Sequence, residues 1–258
     1  MTGQRIEAPE SSIELVGFDG DDTLWRSEDY YRAAERDFEA IVGTYVDLSD
    51  ADTLRYLLAV ERRNLRVFGY GAKGMTLSMI EAAIELTGQR ISAADLQRVI
   101  EIGRATLQHP VELIEGIRAA VEAIASRYPL VLITKGDLFH QESKIAQSGL
   151  ADLFPRIEVV SEKDVATYAK VLQEFDLPAS RFLMIGNSLR SDIAPVVGQG
   201  GWGIHIPYSM TWVHEAEHDL SPDHPRVFTV ETPAELPQAV SAVAENAAEM
   251  TKTGLKHA

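Results

Sequence analysis

Apolar residues along the chain follow two rhythms, and the changes between them divide it. The stretch Ile13 to Phe18 is a short, mostly apolar run that stops at the carboxylates Asp19, Asp21 and Asp22, as a buried parallel strand does where it meets its loop. From Ser27 to about Gln108 the spacing turns helical, with almost no strand-like run. Helices are expected over 30–46, 51–67, 76–87 and 93–107, the last two preceded by caps at Gly74-Met75 and Ser92. After Pro110 short apolar runs alternate with helical stretches. Strands are expected over 130–133, 157–160, 182–185, 203–206 and 227–230, helices over 115–126, 138–147, 165–175 and 191–197, a last helix over 233–248, and a frayed end over 251–258. Such alternation predicts an α/β fold, a Rossmann-like parallel sheet flanked by helices. The core domain is expected over 1–26 and 108–258, with a small all-helical domain inserted over 27–107.

In an open parallel sheet, ligands sit beyond the carboxyl ends of the strands, where the loops can be polar. Reading the residues at those ends gives Asp19 and Asp21 after the first strand, then Thr134-Lys135-Gly136-Asp137, Ser161-Glu162-Lys163, and Gly186-Asn187-Ser188 with Asp192 close behind. Two carboxylates separated by one glycine resist joint ionisation, so a cation or a shared proton is expected between them. Together these residues have the chemistry of a phosphate and Mg²⁺ site.

Composition narrows the partners. The chain has 258 residues, enough for one large domain or two modest ones, and no cysteine, which excludes disulfides and a thiolate nucleophile. It carries 39 acidic against 24 basic residues, a formal charge of −15, which opposes binding to nucleic acid or to an anionic membrane. A polar opening without an apolar signal core, and no apolar run of membrane-spanning length, lead us to expect a cytoplasmic protein.

Asp19-Gly20-Asp21-Asp22-Thr23 after an apolar strand resembles the first motif of the haloacid dehalogenase (HAD) superfamily of phosphohydrolases. The other three strand ends resemble that superfamily's remaining motifs in order, across the whole core domain. The resemblance implies a Mg²⁺-dependent phosphatase acting on a small phosphorylated metabolite through an aspartyl phosphate. Asp19 would be the nucleophile. Asp21 would protonate the leaving alkoxide and then take a proton from water, binding metal through its backbone carbonyl. Gly20, Thr134, Lys135 and Lys163 would hold the phosphoryl group, with Lys170 the fallback for Lys163. Asp19, Asp21, Asn187 and Asp192 would hold the metal, although Asn187 stands where an aspartate is usual, so Asp192 either ligates directly or anchors a metal-bound water. The inserted helices resemble a cap that closes over the site. Lys73, in a glycine-rich loop, and Arg66 are the cap residues expected to meet substrate, with Arg62 and Arg63 weaker candidates. Trp25 is expected to be a core anchor.

A phosphomutase of the same fold and a catalytically weak phosphate-binding protein are the alternatives, the latter because of Asn187. A carbon-halogen dehalogenase fits less well, since those relatives do not need the carboxylate represented by Asp21. Two further patterns lack their context. Gly69-x-Gly71-x-x-Gly74 follows a helical stretch rather than the strand that a dinucleotide site requires, and His214-Glu215-Ala216-Glu217-His218 is followed by helix breakers rather than a continuing zinc-protease helix.

Overall fold

A computed structural model of the chain describes residues 13–47, 53–210, 220–221 and 224–254. The pattern at His214 to His218 therefore lies outside the described residues, as do the polar opening, the first two residues of the second expected helix and positions 255–258.

Among the described residues six parallel strands form one sheet: β1 (Leu15–Phe18), β2 (Leu130–Lys135), β3 (Arg156–Val160), β4 (Phe182–Gly186), β5 (Trp202–His205) and β6 (Val227–Thr229), in the order β3-β2-β1-β4-β5-β6. The order reverses between β1 and β4, where Phe18 pairs with Ile185, and that reversal opens a crevice at the carboxyl ends of both strands. Both faces of the sheet are covered, which is why its central strands are apolar without alternation. Val16, Phe18, Leu132 and Ile185 pack with Ile117 and Val121 of α5 (Ile117–Ala125) and with Val240 and Val243 of α9 (Leu236–Gly254). On the other face Leu15, Val131, Ile133 and Met184 pack against Tyr168 and Val171 of α7 (Val165–Glu174) and Val196 of α8 (Ala194–Val197). Gly17 leaves room for that layer, since a Cβ there would stand 2.6 Å from the Phe182 ring.

Between β1 and α5 the described residues form four helices: α1 (Glu28–Val42), α2 (Thr53–Phe68), α3 (Ala72–Leu86) and α4 (Ala93–Gln108). They enclose an apolar cluster of their own, with Phe38, Leu57, Met79 and Val99 fully buried. Ser92 caps α4 as expected, its hydroxyl accepting from the Asp95 N–H at 3.0 Å. The expected start of α3 moves. Gly74-Met75 lies inside the helix, which begins after Gly71, whose φ of 105° only glycine adopts freely. Gly74 serves close packing instead, because a Cβ there would meet the Gly69 carbonyl at 2.6 Å.

The helix expected over 191–197 also differs. Leu189–Ile193 forms a wide π turn before α8, held by the Asp192 carboxylate accepting from the Ser188 N–H and the Ser188 hydroxyl accepting from the Ser191 N–H. The wide turn brings Asp192 back under the end of β4, where Gly186 makes space for it; a Cβ on Gly186 would lie 2.3 Å from Asp192 Oδ2. The sixth helix, α6 (Leu138–Ser148), ends at Gly149 with φ 64°, the left-handed cap anticipated from Ser148-Gly149.

Candidate active site

The chain leaves β1 in a tight turn. The Gly20 carbonyl accepts from the N–H groups of Thr23, Leu24 and Trp25, and Gly20 itself has no room for a side chain, with Trp25 and Thr134 Oγ1 at 2.8 and 3.1 Å from the Cβ position. Of the three carboxylates, Asp22 turns away to start α1. It adopts φ 61°, and its oxygens accept from the Ser27 and Glu28 N–H groups. Burial and the neighbouring Asp21 push its carboxyl up to about 8.

Asp19 is 5% exposed. It pairs with Lys163 through Oδ1 and accepts from the Thr23 hydroxyl at 2.9 Å through Oδ2. Lys163, also buried, reaches Asp192 Oδ1 at 2.7 Å, so one ammonium lies between two desolvated carboxylates whose strands are not neighbours in sequence. Burial and repulsion from Asp192 outweigh Lys163 and raise Asp19 to about 7, whereas the two carboxylates overcome desolvation and hold Lys163 well above its ordinary value. Thr23 ties in the fourth strand end: its hydroxyl accepts from the Asn187 N–H at 3.0 Å and lies 3.4 Å from Asn187 Oδ1. The structure thus brings Asp19, Lys163, Asn187 and Asp192 together, while Lys170 is exposed on α7.

Asp21 has different company. Lys144 of α6 donates to its Oδ1 at 2.5 Å, Trp25 Nε1 donates to the same oxygen at 2.6 Å, and Gln141 Nε2 donates to Oδ2 at 2.8 Å. Burial acts to raise its carboxyl, but Lys144 and the two further donors win, and the group is held below its ordinary value. Sequence reasoning missed Lys144 and Gln141. Their signal is faint: two long polar residues at i and i+3 on one face of α6, just past the second motif. Trp25 is fully buried, as expected of an anchor, and orients Asp21 as well.

Thr134, at the end of β2, is 1% exposed and its hydroxyl has no hydrogen-bond partner among the described residues. Such a group is costly unless a ligand completes it. Lys135 reaches Ser191 Oγ at 3.2 Å and lies 4.2 Å from the centre of the Tyr70 ring. These residues line a cavity of about 160 Å³ between the sheet ends and the helices α1 to α3. The cap candidates fall elsewhere. Arg62, Arg63 and Arg66 are exposed and absent from the cavity wall, because they occupy the outer face of α2; Arg63 pairs there with Glu81 at 2.7 Å. Lys73 is at the rim, paired with Asp137 across the two helical layers at 2.9 Å, and Tyr70 makes a second bridge to Glu162 at 2.6 Å.

The donors suit a hard divalent cation. Asp19 and Asp192 supply charge, Asn187 Oδ1 a neutral oxygen, and among the described residues nothing donates to the Asp21 main-chain carbonyl. No group of three or more His, Cys, Asp or Glu gathers for a metal among the described residues. Mg²⁺ needs no such group, being held by one or two carboxylates with water and substrate oxygens. No described helix is long and apolar enough to cross a membrane.

A family model described as haloacid dehalogenase-like hydrolase matches residues 13–196. A crystal structure of a haloacid dehalogenase-like family hydrolase from Xanthomonas campestris is 63% identical, covering 94% of this chain and 97% of that one, with a TM-score of 0.85. More distant likenesses share the fold. A 2-haloacid dehalogenase from Pseudomonas syringae is 20% identical over 89% of this chain and 99% of its own, TM-score 0.59. A candidate HAD-hydrolase, YfnB of Bacillus subtilis, bound to magnesium, is 17% identical over 88% and 98%, TM-score 0.59. No protein of curated function matches the chain.

Proposed function

The chain belongs to the haloacid dehalogenase-like hydrolases, and from that premise we propose that it is a Mg²⁺-dependent phosphatase that hydrolyses a small phosphate monoester on Asp19. The observation that carries the reading is Asp21, which lines the same cavity as Asp19 and is held there by three donors. Cleaving a phosphate ester needs a group that manages the leaving alkoxide's proton, whereas displacing a halide does not.

In this reading Asp19 attacks phosphorus, the ester P–O bond breaks and an aspartyl phosphate forms. Lys163 and the Thr134 hydroxyl stabilise the charge on the phosphoryl oxygens, the latter gaining the partner it lacks. Asp21, expected to be the acid, is held in its ionised form, so the leaving oxygen takes its proton through Asp21 from the Lys144 ammonium hydrogen-bonded to it. Water then attacks the acyl phosphate, and Asp21, kept ionised by its three donors, takes a proton from it as the Asp19–phosphorus bond breaks. Bound Mg²⁺, on Asp19, Asp192, Asn187 and the Asp21 carbonyl, would offset negative charge on the transferring group. Residues 27–107 act as the cap domain and 1–26 with 108–258 as the core, a division supported by the separate apolar cluster of α1 to α4.

Hydrolysis of p-nitrophenyl phosphate with and without Mg²⁺, by wild type and Asp19→Asn, tests this. Turnover by wild type, dependent on Mg²⁺ and lost in the variant, is expected. Retained turnover in Asp19→Asn free of deamidation, or release of halide from 2-haloacids with no action on phosphate esters, would overturn it.

A further inference from the structure

The cavity has two chemically different ends. Toward the sheet it offers Lys163, Lys135 and the Thr134 hydroxyl; toward the helices it offers the carboxyl groups of Glu28, Glu35 and Glu61 and the Asn64 amide beside the Tyr31 hydroxyl. Glu61 of α2 is 8% exposed and lines that upper wall, yet it makes no hydrogen bond or ion pair with any described residue. The nearby carboxylates of Glu28 and Glu35 share one guanidinium, Arg32, at 2.9 and 3.1 Å, and Arg32 does not reach the cavity wall. Glu61 is therefore the third buried carboxylate around one half-buried cation.

One turn along α2, Asn64 makes an independent demand. It is 8% exposed, lines the same wall, and gives its amide hydrogens to Ser78 Oγ at 3.2 Å and Glu81 Oε2 at 2.5 Å. The carboxylate partner fixes which end of the amide is nitrogen, and it leaves Oδ1 accepting from no described residue. Burial and the neighbouring Glu35 push the Glu61 carboxyl up to about 7, against the pull of Arg32, and the Asn64 amide oxygen accepts from no described residue; each favours the arrival of a donor. Both are relieved by one kind of group, a donor that carries positive charge and accepts nothing. An ammonium has three N–H donors and no lone pair; a hydroxyl brings one donor and no charge, and a carboxylate would add a fourth anion.

We infer that the physiological substrate is the phosphate monoester of an amino alcohol, its phosphate on the sheet side and its ammonium against Glu61 and Asn64. This deepens the phosphatase reading of the same cavity and rests on it. Leu65 and Met75 supply apolar wall for the carbon stem between the two ends.

Three series of alkyl phosphates, matched in length from phosphoethanolamine upward and ending in ammonium, hydroxyl or carboxylate, test the inference by kcat/KM. At the best length the ammonium ester should exceed the alcohol by about tenfold or more, and the carboxylate by more again, as a charge-assisted hydrogen bond implies. Glu61→Gln, which keeps shape and removes charge, should lower kcat/KM for the ammonium ester by about 10–100-fold and narrow its advantage over the alcohol. An alcohol or carboxylate ester as good as the ammonium one, or a Glu61→Gln loss equal across the three series, would overturn the inference. Calorimetric titration of Asp19→Asn with the same compounds separates the two levels. If esters are hydrolysed without ammonium preference, the amine subsite falls and the phosphatase stands. If no ester is hydrolysed but Asp19→Asn binds the ammonium series at least tenfold tighter than the alcohols, and Glu61→Gln in that background erases the difference, the subsite stands and the phosphatase falls.

Discussion

Replacing Lys144 with methionine removes the ammonium beside Asp21 and keeps most of the stem. Lys144 and Asp21 are 8% and 27% exposed and 2.5 Å apart. The pair therefore lies between the exposed kind, worth about 0–1 kcal/mol, and the buried kind, in which losing one partner costs about 3–5 kcal/mol. Trp25 and Gln141 still donate to Asp21 after the change, which holds the expected loss to about 2 kcal/mol. For a chain of this length that lowers Tm by about 4–8 °C. The sign of the pH dependence follows from the Asp21 carboxyl being held below its ordinary value. Its contribution is present above the unfolded pKa of about 3.9 and is lost as pH falls through the depressed folded value. Without Lys144 the largest lowering influence is gone, burial counts for more, and Asp21 titrates higher than in the wild type. The variant then recovers a proton first, so its stability deficit is full at pH 7 and narrows toward acid. Urea unfolding at pH 7 and pH 5 measures both effects, and the acid limb of kcat/KM for p-nitrophenyl phosphate should move to higher pH in the variant. A deficit under about 0.5 kcal/mol at pH 7, which is the range of ordinary surface changes, or one that does not change with pH, would refute the pairing.

Thr134→Val should separate stability from activity: it replaces an unpartnered buried hydroxyl with a methyl, leaving urea stability equal or up to about 1 kcal/mol higher, while kcat/KM falls about 10²-fold. Gly186→Ala forces Asp192 away from Lys163; we expect a loss of about 1–3 kcal/mol by denaturation and a higher Mg²⁺ requirement for turnover, and an unchanged Mg²⁺ titration would contradict the placement of Asp192. Lys73→Ala breaks a half-exposed rim pair, so chemical denaturation should show a change below about 1 kcal/mol that salt abolishes in the wild type.

Much of this architecture was legible in the sequence because it rests on local rules. An apolar strand buried on both faces reads as a continuous run, so β1, β2 and β4 fell within a few residues of expectation, and the four strand ends could be named before their distances were known. Asp19, Lys163 and Asp192 then meet because a parallel sheet places all its carboxyl ends on one edge. The capping function of the first motif is also local: Asp22, the residue next to Asp21, accepts from the Ser27 and Glu28 N–H groups at the start of α1.

Helices hide more, since their side chains point by rotation as well as by position. The chain alone named Arg62, Arg63 and Arg66 as substrate contacts by charge, but α2 turns them outward and presents Glu61 and Asn64 to the cavity in their place. That choice is made by Leu57 and Val60, whose burial in the helical cluster sets the rotation of α2. Lys144 lies 123 positions from Asp21 in sequence, and no periodicity couples them. The residue types and the strand-end loops follow from order along the chain; which long side chain on a helix meets which carboxylate follows from how that helix rolls against its neighbours, a quantity set by packing that only the assembled fold possesses.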